Sequence, residues 1–133
     1  MARSLIQTAN QSTQAVAAES IIGLGSTQRR YGCDLRLSGN GIEVTGNGYF
    51  TADLDVSVSP TAAGPVTVAL YKNGTAIPGA IAYTTGTAGN PVSVSINTTI
   101  RRGCCCDEAD NLTAVLVEGA GDVNNVSLRV VKE

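Results

Sequence analysis

Eleven residues near the middle of the chain alternate without a fault: Gly48-Tyr49-Phe50-Thr51-Ala52-Asp53-Leu54-Asp55-Val56-Ser57-Val58. Phe50, Ala52, Leu54, Val56 and Val58 fall on one side; Tyr49, Thr51, Asp53, Asp55 and Ser57 fall on the other. Successive side chains of a strand point to opposite faces, so this pattern specifies a β-strand with one dry face. Gly48 opens the strand and Pro60 closes it, because proline has no N–H for a ladder. A strand of this kind needs a sheet around it and a second layer against its apolar side.

The remaining chain supplies both. Leu35-Arg36-Leu37 and Ile42-Glu43-Val44 alternate on either side of Gly39-Asn40-Gly41. A second triplet, Gly46-Asn47-Gly48, follows them. Asn-Gly accepts the positive φ of two-residue hairpins, so both triplets read as turns, and Lys72-Asn73-Gly74-Thr75 as a third. Val66-Val68-Leu70, Val92-Val94-Ile96, Leu112-Ala114-Leu116 and Val126-Leu128-Val130 mark further strands, with another over about Ser20–Leu24. Pro78 confines the strand around Ile77 to an edge or a bulge. Ala15-Val16-Ala17-Ala18-Glu19 has helical propensity, but Gly23 and Gly25 follow too soon for a helix to persist. The sum is roughly eight strands and no long helix: an all-β, antiparallel two-sheet jelly-roll sandwich. Residues 1–14 are polar and weakly patterned. They read as an N-terminal arm, with an edge strand at Ser4–Thr8 as the alternative, and the sandwich domain as 15–133.

Composition narrows the functional classes. The chain has 133 residues, enough for one core, but only one Phe and no Trp to fill it. There is no histidine, so Ser-His-Asp chemistry and histidine-bearing metal sites are excluded. A net charge of −2 gives no electrostatic footprint for nucleic acid. No apolar run approaches the ~20 residues that cross a bilayer. The stretch from Met1 to Gln7 lacks the apolar core of a secretion signal, which points to assembly in a cytoplasm. No cofactor motif is present, and none is expected.

The opening strand resembles the Gly-x-Tyr strand of the jelly rolls in tumour-necrosis-factor and complement globular heads. Val68-Ala69-Leu70-Tyr71-Lys72-Asn73-Gly74 is similar to the strand and turn that follow it there. Arg30-Tyr31-Gly32-Cys33, Leu37-Ser38-Gly39-Asn40-Gly41 and Cys104-Cys105-Cys106 resemble features of short bacterial and phage versions of that fold. The resemblance implies a ten-strand jelly roll that assembles as a homotrimer and binds proteins or surfaces without catalysis. Neither the collagen-like stalk of the complement relatives nor the membrane stem of the cytokines is present in this sequence.

Few residues carry candidate chemistry. Cys33, Cys104, Cys105 and Cys106 leave three states open: packed or free thiols, a bridge from Cys33 to one of the other three, or a thiolate metal site. Asp107, Glu108 and Asp110 read as a solvated acidic loop, with Ca²⁺ ligation as the alternative. Asp53 and Asp55 share a face at the spacing of paired carboxylates, but mid-strand positions imply no pocket for hydrolysis. Asn10, Asn73, Asn97, Asn111 and Asn125 each begin an Asn-x-Ser/Thr triplet, which an Asn/Ser/Thr-rich β protein produces by chance. Leu112 to Val117 is apolar on both faces, and a soluble monomer rarely exposes such a surface. The expected trimer contacts are therefore Val115 and Val117, or Tyr49 on the other central strand.

The reading that follows is a non-enzymatic structural protein of a bacteriophage virion, assembled in the host cytoplasm. It would be a head-decoration or head-fibre trimer held to the major capsid protein or another virion protein by its arm, through Arg3, Leu5 and Ile6. The alternatives are a trimeric head that binds a receptor or a host-surface glycan, and a bacterial surface or spore-coat protein.

Overall fold

The computed structural model describes residues 4–102 and 110–132. Twelve strands follow one another: β1 (Leu5–Asn10), β2 (Gln14–Val16), β3 (Ser20–Ile22), β4 (Ser26–Tyr31), β5 (Leu35–Ser38), β6 (Gly41–Val44), β7 (Gly48–Pro60), β8 (Gly64–Lys72), β9 (Thr75–Gly86), β10 (Val92–Arg102), β11 (Asp110–Glu118) and β12 (Gly121–Lys132). They form two antiparallel six-stranded sheets. One has the order β10-β7-β12-β1-β4, with β2 on β12; the other has the order β5-β6-β11-β8-β9, with β3 on β11. This is the two-sheet jelly roll that the alternation calls for.

The core is aliphatic. Phe50, Ala52, Leu54, Val56 and Val58 of β7 are all buried, and Val126, Leu128 and Val130 of β12 lie beside them. The second sheet answers with Val66, Val68 and Leu70 of β8 and Leu112, Ala114 and Leu116 of β11. On β12 the register shifts between Val123 and Asn125. One extra residue there lets both Val123 and Val126 point inward, while the Asn124 side-chain amide donates to Ser59 Oγ at 2.7 Å.

Two of the three turns behave as hairpins. Asn73 and Gly74 both have positive φ, 53° and 82°, and close β8 on β9 with Lys72 opposite Thr75. Gly39 and Asn40 close β5 on β6. The third, Gly46-Asn47-Gly48, is not a hairpin. It carries the chain from β6 in one sheet to β7 in the other, because each already has other partners. Gly46 passes so close to Asp34 that a Cβ would lie 2.4 Å from the carboxylate. Pro78 sits on edge strand β9, where the register with β8 shifts between Ala69 and Tyr71, as proline requires.

The N-terminal segment departs from the expected arm. β1 lies inside its sheet, pairing with β12 from Leu5↔Val131 to Asn10↔Val126 and with β4 on its other side. Ile6 and Thr8 are fully buried, and Thr8 Oγ1 donates to the Leu128 carbonyl at 3.5 Å. A boundary at residue 14 is likewise absent, since β2 continues the same sheet through Val16↔Gly121. Sheet pairing also overrides the helical propensity of Ala15 and Val16. The physical reason is long-range: a polar segment with one inward Ile becomes a strand when a partner 120 residues away supplies the ladder.

Two outcomes check this arrangement. Leu54→Ala should lower stability by about 2–5 kcal/mol in chemical denaturation, while Ser93→Ala on the solvent side should change it by less than about 0.5 kcal/mol. Deleting residues 1–10 should abolish the cooperative unfolding transition, because it strips the ladder from β12 and opens the core at Ile6. A truncated chain that melts within a few degrees of the full one would show that β1 is not part of the fold.

Candidate functional site

Strand register builds two broad faces that look away from the core. On the outer face of the first sheet, Tyr31, Leu5, Val131, Thr51 and Thr99 stand in one row across all five strands of the path. Tyr49 lies two residues before Thr51 on β7 and is paired with Arg101 of β10. Tyr31 and Tyr49 are 53% and 55% exposed, and Leu5 and Val131 are half-buried. One end of this face is therefore aromatic and aliphatic.

The rest of the face is polar, and between β7, β10 and β12 several of its polar groups are paired in the plane of the sheet. Ser57 and Ser93 hydroxyls meet at 3.1 Å, and Ser95 donates to Asp55 at 2.6 Å. The Asn97 amide donates to Asp53, which also accepts an ion pair from Arg129 at 3.7 Å. Asp53 and Asp55 thus serve as cross-strand acceptors on a flat surface, not as facing carboxylates across a cleft. A ladder whose partners are satisfied within one protomer loses little when a second surface covers it.

The outer face of the second sheet holds the other apolar row: Ile21, Val115, Ala69 and Ile81 on adjacent strands. Its ends are open, with Ile21 51% and Ile81 38% exposed, but its middle is already covered. Val115 is only 6% exposed and Ala69 is fully buried. Val117 is half-buried and, with Ile21 and Tyr71, borders an open depression of about 310 Å³. Tyr83, one pair beyond Ile81, is 74% exposed.

The remaining sequence candidates separate. Ile6, expected as an attachment point, is in the core and cannot touch a partner; Leu5 is half-buried beside it. Arg3, Cys104, Cys105, Cys106, Asp107 and Glu108 lie outside the described residues. Cys33 is exposed and makes no disulfide among the described residues. Asp110 belongs to the Asn-Gly hairpin: it pairs with Lys72 at 3.3 Å and accepts from the Asn73 amide at 2.9 Å. The Asn73 side-chain oxygen in turn accepts from the Asn111 N–H at 2.9 Å, so this asparagine is a fastening of the turn. Among the described residues no group of three His, Cys, Asp or Glu is placed to hold a metal, and no helix is long and apolar enough to cross a membrane.

Sequence reasoning found Tyr49 and missed its row. Tyr31, Leu5 and Val131 lie far apart in the chain and are joined only by register. Strand β4, which carries Tyr31, has six exposed residues and no apolar alternation to reveal it.

The fold has many solved relatives. Mouse APRIL superposes with a TM-score of 0.76 at 12% identity, covering 98% of this chain and 99% of that one. The globular domain of zebrafish complement 1qA protein gives 0.68 at 7% identity, over 96% and 94% of the two chains. The vertex protein P5 of phage PRD1 gives 0.62 at 11% identity, over 99% and 98%. No protein-family model and no curated protein sequence matches the chain. The chain thus has the jelly-roll fold of the tumour-necrosis-factor and complement heads, a fold also present in a phage vertex protein.

The two faces respond differently to charge. Tyr49→Arg should leave the fold of the protomer intact, since the side chain is exposed. Val115→Asp should destabilise the protomer itself by about 3 kcal/mol or more, because it buries an unpaired carboxylate. Circular dichroism melts of the two variants at low protein concentration distinguish them.

Proposed function

We propose that this protein is a non-enzymatic structural component of a bacteriophage virion, a jelly-roll head that works as a homotrimer. The observation that carries the assembly is the outer face of the first sheet, where exposed Tyr31 and Tyr49 with Leu5 and Val131 adjoin a ladder of already satisfied polar pairs. Such a face gains from burying its apolar end and loses little from burying its polar part. Closed rotational symmetry then stops growth at a defined particle. Tyr49 is the interface residue in this reading. Val115 and Val117 are secondary, because Val115 is covered within its own protomer.

The virion setting is supported by the full-length likeness to a phage vertex protein, which is a likeness of fold. The partner is the major capsid protein or another virion protein. Ile6 is not an attachment point, since its side chain is in the core. The surface left for attachment outside the trimer is the second sheet, with Ile21, Ile81 and Tyr83.

The purified protein should run at three times the protomer mass in native mass spectrometry, and Tyr49→Arg should shift it to the protomer mass without unfolding it. The wild-type protein should sediment with empty phage heads and not be retained by immobilised glycans. A wild-type monomer at micromolar concentration would overturn the trimer. Glycan retention without head binding would replace the virion role with a receptor-binding one.

A further inference from the structure

Apart from the three-residue strands β2 and β3, the sheets end in four edge strands: β4 and β10 in the first sheet, β5 and β9 in the second. An edge strand presents unpaired N–H and C=O groups, and proteins blunt edges by shortness, bulges, proline or charge. Three of these four are blunted. β5 has four residues and carries the Arg36–Glu43 ion pair. β4 shifts register against β1 between Gln7 and Thr8 and bears Arg29 and Arg30. β9 carries Pro78 and Gly79 opposite the register shift in β8.

β10 has no such protection over most of its length. It runs in unbroken register with β7 for eleven pairs, from Val92↔Val58 to Arg102↔Gly48. From Val92 to Ile100 it contains no charge, proline or glycine. An alternating, uncharged sequence of this kind pairs readily with another strand. At its start β10 is shadowed by β9, where a Cβ on Gly86 would lie 3.6 Å from a Val92 methyl. At its far end an open cleft of about 310 Å³ separates Thr75–Pro78 of β9 from Thr99–Arg101 of β10.

The cleft has a defined chemistry. Ile77, Pro78 and Ile100 supply apolar lining, and Lys72 and Arg101 supply positive charge. Lys72 shares its charge with Asp110, but exposed Arg101 has no ion-pair partner among the described residues. Two copies of this chain pairing through the open end would bring their Arg101 side chains together, a like-charge contact that disfavours self-pairing. A negatively charged strand from elsewhere meets no such penalty.

We propose that the β10 edge at Thr99–Arg101 takes a strand from another protein by sheet extension. The incoming segment is extended, places an apolar side chain against Ile77, Pro78 and Ile100, and sets a carboxylate beside Arg101. Backbone ladder bonds supply affinity, and the cleft supplies selectivity. The site lies on an edge and does not depend on the virion setting; Arg101 pairs with Tyr49 beside the face assigned to the trimer, so peptide binding is measured together with the native mass of each variant.

A fluorescein-labelled peptide alternating valine with threonine, and bearing one glutamate, tests this by fluorescence anisotropy on the full chain. Saturable binding should appear below millimolar peptide. Methylating alternate backbone nitrogens of the peptide should weaken it by about tenfold or more, because the ladder is lost. Arg101→Glu should weaken it about tenfold and favour the peptide in which lysine replaces glutamate. Arg101 is exposed in the protomer, so the variant should keep the wild-type circular dichroism spectrum. Absence of saturation, equal binding of the methylated peptide, or indifference to Arg101→Glu would each overturn the proposal. Self-association that Arg101→Glu strengthens would assign the edge to a second copy and overturn it too.

Discussion

The antiparallel pairing of β12 with β7 on one side and β1 on the other is the interaction on which the rest depends. It joins the two ends of the described chain to its most strongly patterned strand. The apolar residues of all three strands then present one continuous surface, from Ile6 through Val130 and Ala52, to the second sheet. The terminal strands are fastened again outside the ladder. Ser4 Oγ donates to Asp34 at 3.0 Å, Lys132 Nζ reaches the same carboxylate at 3.1 Å, and the Lys132 N–H donates to the Ser4 carbonyl at 2.9 Å. Such non-local closure sets a folding order in which the sheet completes only after the last strand is available.

This dependence explains what could be read from the sequence and what could not. β7 is legible residue by residue because one strand contains both the alternation and its terminators. The Asn73-Gly74 hairpin is legible because its signal is a local backbone requirement. β1 is not, because Leu5, Gln7 and Ala9 show no alternation against Ile6 and Thr8 until β12 defines the faces. Gly46-Asn47-Gly48 has the chemistry of a hairpin turn, yet its neighbours belong to different sheets, and only topology decides between the two. The candidate surface follows the same rule. Tyr49 is visible from its strand, whereas Tyr31, Leu5 and Val131 become its neighbours through three separate strand pairings.

The sandwich therefore presents two outer surfaces of different chemistry. The first-sheet face combines accessible aromatic groups with a polar ladder that is complete within the protomer. The second-sheet face buries the centre of its apolar row and exposes the ends. In the proposed assembly the first face is covered and the second is left available, which gives a particle with a hidden seam and an outward contact surface.

Residue-level tyrosine labelling of the native particle, read by mass spectrometry, tests that division most directly. Tyr49 and Tyr83 are both exposed in the protomer, at 55% and 74%. In the assembled protein Tyr83 should be modified and Tyr49 protected, and dilution to the protomer should make both reactive. Equal modification of Tyr49 and Tyr83 in the intact particle would contradict this.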